Sequence, residues 1–367
     1  MKYRVLCITD RSDLPETELF IRLKKIGVDI EVACNPTGRY HERLEKSGIT
    51  FYKLILKSRF SPTGIRSIKK ILNRKTYDII YCFNNKATSN LILSIRGRKV
   101  KVVTYRGTVG NISFFSPASW TTHLNPHVDR IMCVSRAVRD HLNDMRWMGM
   151  EFKSGRAVAI YKGHDLEWYQ DKPADLTEFG ISKDDFVATF AGRNRPHKGA
   201  HVIIESTQWI PPEIPVHFIL MGKISENKKL LRQIADSPIR DRIHLPGFRN
   251  DAPAVIAAGD TFLMPSTKRE GLSRAVIEAM AYGIPPIVTD VGGLPELVKD
   301  HESGYVIAPN DPQTLAQRII NLYENPDTKK RLGKNARQRI DTCFNINTTV
   351  EKTRQVFEEL MAEDRKQ

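Results

Sequence analysis

Short apolar runs alternate with amphipathic segments along almost the whole chain, and the pattern is laid down twice. "YRVLCIT", "DIEVAC", "ITFYKLIL", "YDIIYCF", "KVVTY", "DRIMCV" and "AVAIY" come first. Each is four to eight residues of mostly apolar character, and the stretches between them carry the 3.6-residue spacing of helices. Strands that read as unbroken apolar runs are buried on both faces, which is the mark of a parallel sheet covered by helices. After "YKGHDLEWYQDKPADLTEFGIS" the alternation restarts with "DFVATFAG", "VHFILMG", "RIHLPG", "DTFLMP", "PPIVTD" and "GYVIA". The polar, proline-containing stretch from Asp165 to Lys183 therefore separates two doubly wound α/β domains. At 367 residues and 41% hydrophobic, the chain is long enough to give each a core. Such domains bind ligands at the carboxyl ends of their strands.

No run approaches the ~20 apolar residues that span a bilayer, and "MKYRVLCITD" enters a strand pattern without a signal-peptide core, so a cytoplasmic protein is expected. The odd set Cys7, Cys34, Cys82, Cys133 and Cys343 contains no C-x-x-C pair and reads as reduced thiols. Net charge is +15. Residues 1–165 hold 30 Lys and Arg against 14 Asp and Glu, a surplus of 16, whereas the remainder holds 27 against 28. A field of that sign attracts a polyanion, an anionic bilayer or an acidic substrate. No recognisable nucleic-acid-binding motif accompanies it, and neither a Walker A loop nor G-x-G-x-x-G follows a first strand, so nucleic acid, NTP hydrolysis and dinucleotides are not signalled.

Two loops of the second half carry chemistry. In "DTFLMPSTKREGLSRAVIEAMAYGIPPIVTD" a strand ends at Ser266, a turn holds Glu270, and a helix is predicted from Arg274 to about Gly283. Backbone N–H groups of Gly271, Leu272 and Ser273 then lie at a helix N-terminus, which favours an anion. Glu278 falls about two turns in, among Val276, Ile277, Ala279 and Met280. A carboxylate there is costly unless something donates hydrogen bonds to it, as a ribose diol would; a solvated helix face is the plainer alternative. In "VATFAGRNRPHKG" Gly192, Arg193 and Lys198 follow another strand. Two cations between glycines suit a diphosphate, though an exposed basic turn would look the same.

The ordered set "AGRNRPHKG", "LMGK", "HLPGFRND", "FLMPSTKREGLSRAVIEAMAYGIPPIVTDVGGLPELV" and "ESGYVIAPNDPQTLAQRI" resembles the C-terminal half of the family 4 glycosyltransferases, over residues 186–322. The resemblance implies the GT-B fold: two Rossmann-like domains facing a cleft, here 1–165 for the acceptor and 166–345 for a nucleotide-sugar donor, with 346–367 crossing back as a helix. It implies that Arg193 and Lys198 hold the diphosphate and Glu278 the ribose. Glu270 would contact the transferred sugar, with Gly271, Leu272 and Ser273 donating backbone bonds. Gly247 and Phe248, in "GFRN", would line the base. It further implies retention at the anomeric carbon, no cofactor beyond the donor substrate, and a glycan or lipid-linked acceptor. D-x-D is absent, so no catalytic metal is signalled. An epimerase or hydrolase of the same fold is the alternative.

The first half departs from that family's pattern. Its first loop, "TDRSDLPE", has no glycine, and "KVVTY" leads to Arg106 where many members carry histidine. Arg106 at that point is a candidate catalytic residue that would bind an anionic acceptor or sugar group or offset the donor phosphates; a structural role is the alternative. His164, in "YKGHD", fits a hinge or a catalytic group. In "SPTGIRSIKKILNRK" Arg66, Lys69, Lys70 and Arg74 take one side of a helix and Ile65, Ile68, Ile71 and Leu72 the other. With "RGRKVK" and an apolar loop "MRWMGMEF", this fits either docking at the inner face of a cell membrane or an ordinary solvated helix.

Overall fold

The computed structural model describes residues 3–363. They form two compact units, one running to Gly163 and resuming at Phe344, the other spanning His164–Cys343.

Unit 1 opens with β1 (Arg4–Ile8), α1 (Leu14–Lys25), β2 (Asp29–Cys34), α2 (His41–Lys46) and β3 (Thr50–Lys53). It continues with α3 (Pro62–Arg74), β4 (Ile79–Cys82), α4 (Asn85–Ile92) and β5 (Lys101–Arg106). Then come α5 (Pro117–Trp120), β6 (Arg130–Cys133), α6 (Arg136–Asn143), a hairpin of β7 (Arg146–Trp147) and β8 (Met150–Glu151), and β9 (Ala157–Ala159). Apart from the hairpin, the strands make one parallel sheet in the order β3-β2-β1-β4-β5-β6-β9. Its strands are buried because helices cover both faces: Val5, Leu6, Cys7, Ile8, Ile79, Ile80 and Cys82 are wholly inaccessible. Cys7, Cys34, Cys82 and Cys133 are buried free thiols, and Cys343 is exposed.

Unit 2 contains β10 (Phe186–Ala191), α7 (Ala200–Ser206), β11 (Val216–Met221), α8 (Lys228–Ala235) and β12 (Ile243–Gly247). After α9 (Ala252–Ala257) follow β13 (Thr261–Met264), α10 (Arg274–Ala281), β14 (Pro286–Thr289), α11 (Leu294–Leu297) and β15 (Tyr305–Ile307). The parallel order is β12-β11-β10-β13-β14-β15. Helices α12 (Pro312–Glu324) and α13 (Pro326–Cys343) close it, and α14 (Ile346–Glu363) belongs to unit 1. There Phe357 packs edge-on against Tyr3 and Tyr81, at 6.2 and 6.0 Å between ring centres.

Residues 165–183 hold only two short 3-10 turns and lie within unit 2. Ala174 donates to Ala254 O (3.0 Å), and Tyr282 to Asp171 (3.1 Å). The stretch read as an apolar loop, "MRWMGMEF", is instead the β7–β8 hairpin. Its two-residue strands are too short to show a period-2 pattern.

Candidate active site

A doubly wound sheet opens a crevice where its strand order reverses, because the connections leaving the two adjacent strands run to opposite faces. In unit 2 the reversal lies between β10 and β13. Both loops singled out in the sequence start there: β10 leads to Gly192–Lys198 and β13 to the turn that carries Glu270.

The two loops are joined. Lys198, the last residue of a 3-10 turn, places its Nζ 3.0 and 2.7 Å from Oε1 and Oε2 of Glu270. Ser266 Oγ donates to the same Oε2 (2.9 Å), and Thr289 Oγ1 donates to Ser266 O (2.5 Å). Thr267 N donates to His197 O (2.9 Å), stapling backbone to backbone. Glu270 and Ser266 are buried, so the carboxylate is fixed by an ammonium and a hydroxyl. The sequence reading placed Ser266 only as a strand end and missed its role and that of Thr289; the available signal was a hydroxyl residue at each of two adjacent strand ends. Arg269 has φ +63 immediately before Glu270. A non-glycine residue in the left-handed region is strain of the kind that gathers at functional sites.

Ser273 is the N-cap of α10, with ψ 117, but its hydroxyl caps no helical N–H. Among the described residues the N–H groups of Gly271, Leu272 and Ser273 donate to no protein acceptor, although Gly271 and Ser273 are buried. Buried orphan donors are rare and call for a partner. Glu278 is the fifth residue of α10, just over one turn in rather than two, since α10 begins at Arg274 as expected and a turn takes 3.6 residues. Its carboxyl pairs with Arg274 Nε (3.2 Å) one turn back, and burial raises its pKa against that partner's opposing pull. Among the described residues it forms no hydrogen bond or ion pair with Lys198 or Glu270. Arg193 is exposed and forms no ion pair among the described residues.

Gly192, Gly222 and Gly247 lock the ends of β10, β11 and β12. Gly192 N donates to Met221 O (3.1 Å) and Gly222 N to Gly247 O (2.7 Å). Gly222 has φ +127, and a Cβ there would stand 2.0 Å from Gly192 O, so only glycine allows this approach. Phe248 follows with 76% of its surface exposed. Its neighbour Arg249 is held by Glu178 (2.9 Å) and Asp251 (2.7 Å).

In unit 1, Arg106 is buried at the end of β5 and serves its own loop: Nε donates to Thr108 O (3.0 Å) and Nη2 to Gly110 O. Burial lowers its pKa. His123, absent from the sequence reading, fixes the far side of that loop between Thr104 Oγ1 (3.0 Å) and Asn85 Oδ1 (3.1 Å). Burial, helped by Arg106, lowers its pKa to about 3 and keeps it neutral. His164 is buried in unit 2 and bonded through Nδ1 to the Tyr169 hydroxyl. Among the described residues no three His, Cys, Asp or Glu side chains gather as metal ligands would.

The family model "Glycosyltransferase Family 4" matches residues 17–168 and "Glycosyl transferases group 1" matches residues 171–339. An Escherichia coli UDP-Gal:alpha-D-GlcNAc-diphosphoundecaprenol alpha-1,3-galactosyltransferase is 26% identical, covering 95% of this chain and 92% of the relative. A glycosyltransferase from Rickettsia africae ESF-5 superposes with a TM-score of 0.79 at 19% identity, over 98% of this chain and 99% of that one. Anabaena Alr3699/HepE, solved in complex with UDP, gives 0.75 at 22%, over 97% and 100%. At such identities structural likeness carries the fold, which is GT-B. The chain belongs to the group 1, family 4 glycosyltransferases.

Proposed function

We propose that this glycosyltransferase moves a sugar from a nucleotide-diphosphate sugar, held by unit 2, to a glycan or lipid-linked acceptor held by unit 1. The bond between the anomeric carbon and the diphosphate oxygen breaks, the acceptor oxygen bonds to that carbon on the same face, and its proton passes to the departing phosphate. Configuration is retained, and no metal or further cofactor takes part. The observation that carries this reading is the Lys198–Glu270 pair at the strand reversal, beside an unpaired Arg193 and the orphan N–H donors of Gly271, Leu272 and Ser273. Negative charge develops on the leaving diphosphate, and fixed donors aimed at it are worth most in a dry site. Arg193 and Lys198 take the phosphates, Glu270 the transferred sugar's hydroxyls and Glu278 the ribose. The close turn at Gly192 admits the phosphates, and Gly247 and Phe248 flank the base. Arg106 acts as a positioning residue through the loop it ties.

The E. coli relative's name pairs UDP-Gal with a diphosphoundecaprenol acceptor, so UDP-sugars and polyprenyl-diphosphate glycans are the first substrates to test. Such an acceptor places the enzyme at the inner face of a membrane. Among the described residues no helix is long and apolar enough to cross one. Contact is therefore peripheral, through Arg66, Lys69, Lys70 and Arg74, all exposed on α3 while Ile68, Ile71 and Leu72 are buried. Each contributes about 1 kcal/mol near an anionic surface.

A thermal-shift panel of nucleotide sugars tests the donor assignment. The right donor at a hundredfold excess over its Kd stabilises by about 2.7 kcal/mol. A protein that no nucleotide sugar stabilises would overturn the reading, and donor consumed without acceptor would favour the epimerase or hydrolase.

A further inference from the structure

The hairpin β7–β8 and the segment leading into α5 present an aromatic cluster to solvent. The rings of Phe115 and Trp147 are 4.0 Å apart, and those of Phe114 and Trp120 are 6.0 Å apart. Trp120 Nε1 donates to Phe114 O (2.8 Å), which fixes the pair. Phe115 is 67% exposed, and Met148, at the hairpin tip, 83%. The tip contradicts the chemistry of its own turn. Met148 and Gly149 have φ +44 and +78, the two left-handed positions of a two-residue hairpin loop, where Asn-Gly is the favoured sequence. Methionine accepts the backbone cost there and gains no buried contact.

An exposed apolar cluster needs an occupant, and charge supplies the argument for one. Strand order in unit 1 steps one way from β1 to β3 and the other way from β3 through β4, β5 and β6 to β9. Right-handed crossovers therefore put α3, α4 and α6 on one face of the sheet and α1 and α2 on the other. The hairpin, which follows α6, shares its face with the basic helix. Arg98 donates to Leu72 O (3.1 Å), so the basic segment of residues 96–99 adjoins the end of α3. Of the nearby carboxylates, Glu151 pairs with Arg146 (3.0 Å) across the hairpin and Asp140 with Arg139 (2.8 Å), while the exposed Asp144 forms no ion pair among the described residues. A convex apolar tip with an indole at its base, on a cationic face, matches the boundary between lipid headgroups and acyl chains.

We propose that Phe115, Trp147 and Met148 insert into the interface of an anionic bilayer while the cations of α3 hold its headgroups. The inference rests on the membrane-docking part of the proposed function and adds an apolar anchor to it.

The test uses the full chain and mixed phosphatidylcholine–phosphatidylglycerol vesicles. At high salt, where the contribution of surface charges is screened, Met148→Asn and Phe115→Ser should each lower vesicle partitioning about tenfold. Met148→Asn suits the left-handed turn, so its Tm should hold or rise, which separates loss of insertion from loss of folding. Acyl-brominated lipids should quench tryptophan emission of the bound protein, and Trp147→Phe should remove that quenching. If the hairpin variants bind as the unmodified chain does, with no quenching, while reversing the α3 cations to glutamate abolishes binding, the insertion is overturned and peripheral docking stands. An unmodified chain that binds no vesicle at low salt overturns both.

Discussion

Lys198 Nζ spans both carboxylate oxygens of Glu270, at 3.0 and 2.7 Å, across 72 residues of sequence. Each partner leaves the other inside a buried site when it is removed. Lys198→Ala should therefore lower turnover by ~10²-fold or more and also lower the Tm of the ligand-free protein, since Glu270 keeps only Ser266 as a donor. Turnover of the Lys198→Ala, Glu270→Gln double variant should fall by less than the product of the single effects, as coupled groups require. Steady-state kinetics of all four proteins give the cycle; strictly multiplicative losses would show that the pair does not act as a unit.

Arg193 offers the cleaner separation of function from fold. It is exposed and unpaired, so Arg193→Ala should leave stability within about 0.5 kcal/mol while turnover falls by ~10²-fold. Chemical denaturation and single-turnover assays on one preparation decide it. Equal turnover in variant and parent would move the diphosphate elsewhere.

Glu278 carries a signature of its own. Burial raises its pKa, so its contribution to stability is present below the ordinary glutamate range and is lost as pH rises through its folded value. Glu278→Gln should therefore raise the Tm of the ligand-free protein at neutral pH, with the gain shrinking on acidification, while nucleotide affinity weakens. Glu270→Gln should spare free-nucleotide affinity and impair use of the sugar nucleotide. Calorimetric titration with nucleoside diphosphate compares the two.

A pH dependence belongs to unit 1. Lys162 Nζ sits 2.5 Å from Asp13 Oδ2 and 3.2 Å from Glu16 Oε1. Two carboxylates share one ammonium, and burial, opposed by Lys162 and assisted by Asp13, raises the Glu16 pKa to about 7. A raised carboxyl stabilises fully below its unfolded value and loses that stabilisation as pH climbs through 7. The unfolding free energy from urea titrations should fall between about pH 5 and pH 8 by an amount on the order of 2 kcal/mol, and Glu16→Gln should flatten the profile. A variant retaining the full slope would place the titration elsewhere.

At Gly163 a Cβ would meet Thr349 Oγ1 at 2.3 Å, Asn345 O at 2.5 Å and Ile346 Cα at 2.6 Å. Two of these atoms are backbone and cannot rotate aside. Gly163→Ala should cost about 1–3 kcal/mol, read as a lower urea midpoint with unit 2 spectroscopically intact.

The strands of both sheets were legible because a parallel strand buried on both faces spells itself as an apolar run. Glu270 was legible as a residue in a turn at a strand end, and Lys198 as a cation past another. Their contact was not, since only the β10–β13 reversal makes the loops neighbours. The same holds for Glu16 and Lys162, 146 residues apart. Met148 misled because it stands where turn chemistry calls for asparagine, and the bonds of Arg106 to carbonyls of its own loop are ones a sequence does not display. A helix over 346–367 was expected, but what α14 covers depends on Tyr3 and Tyr81, and even Tyr81 lies 276 residues before Phe357.

Unit 2 is one uninterrupted stretch, whereas unit 1 requires residues from 344 on. On the ribosome the two halves therefore finish in the reverse of the order in which they are made. Tyr3 and Tyr81 emerge early, and Phe357, which covers them, arrives only after all of unit 2 has been synthesised. At 5–20 residues per second the interval from Tyr81 to Phe357 is roughly 14 to 55 s. Throughout it, one aromatic face of the nascent unit stays uncovered and available to a chaperone.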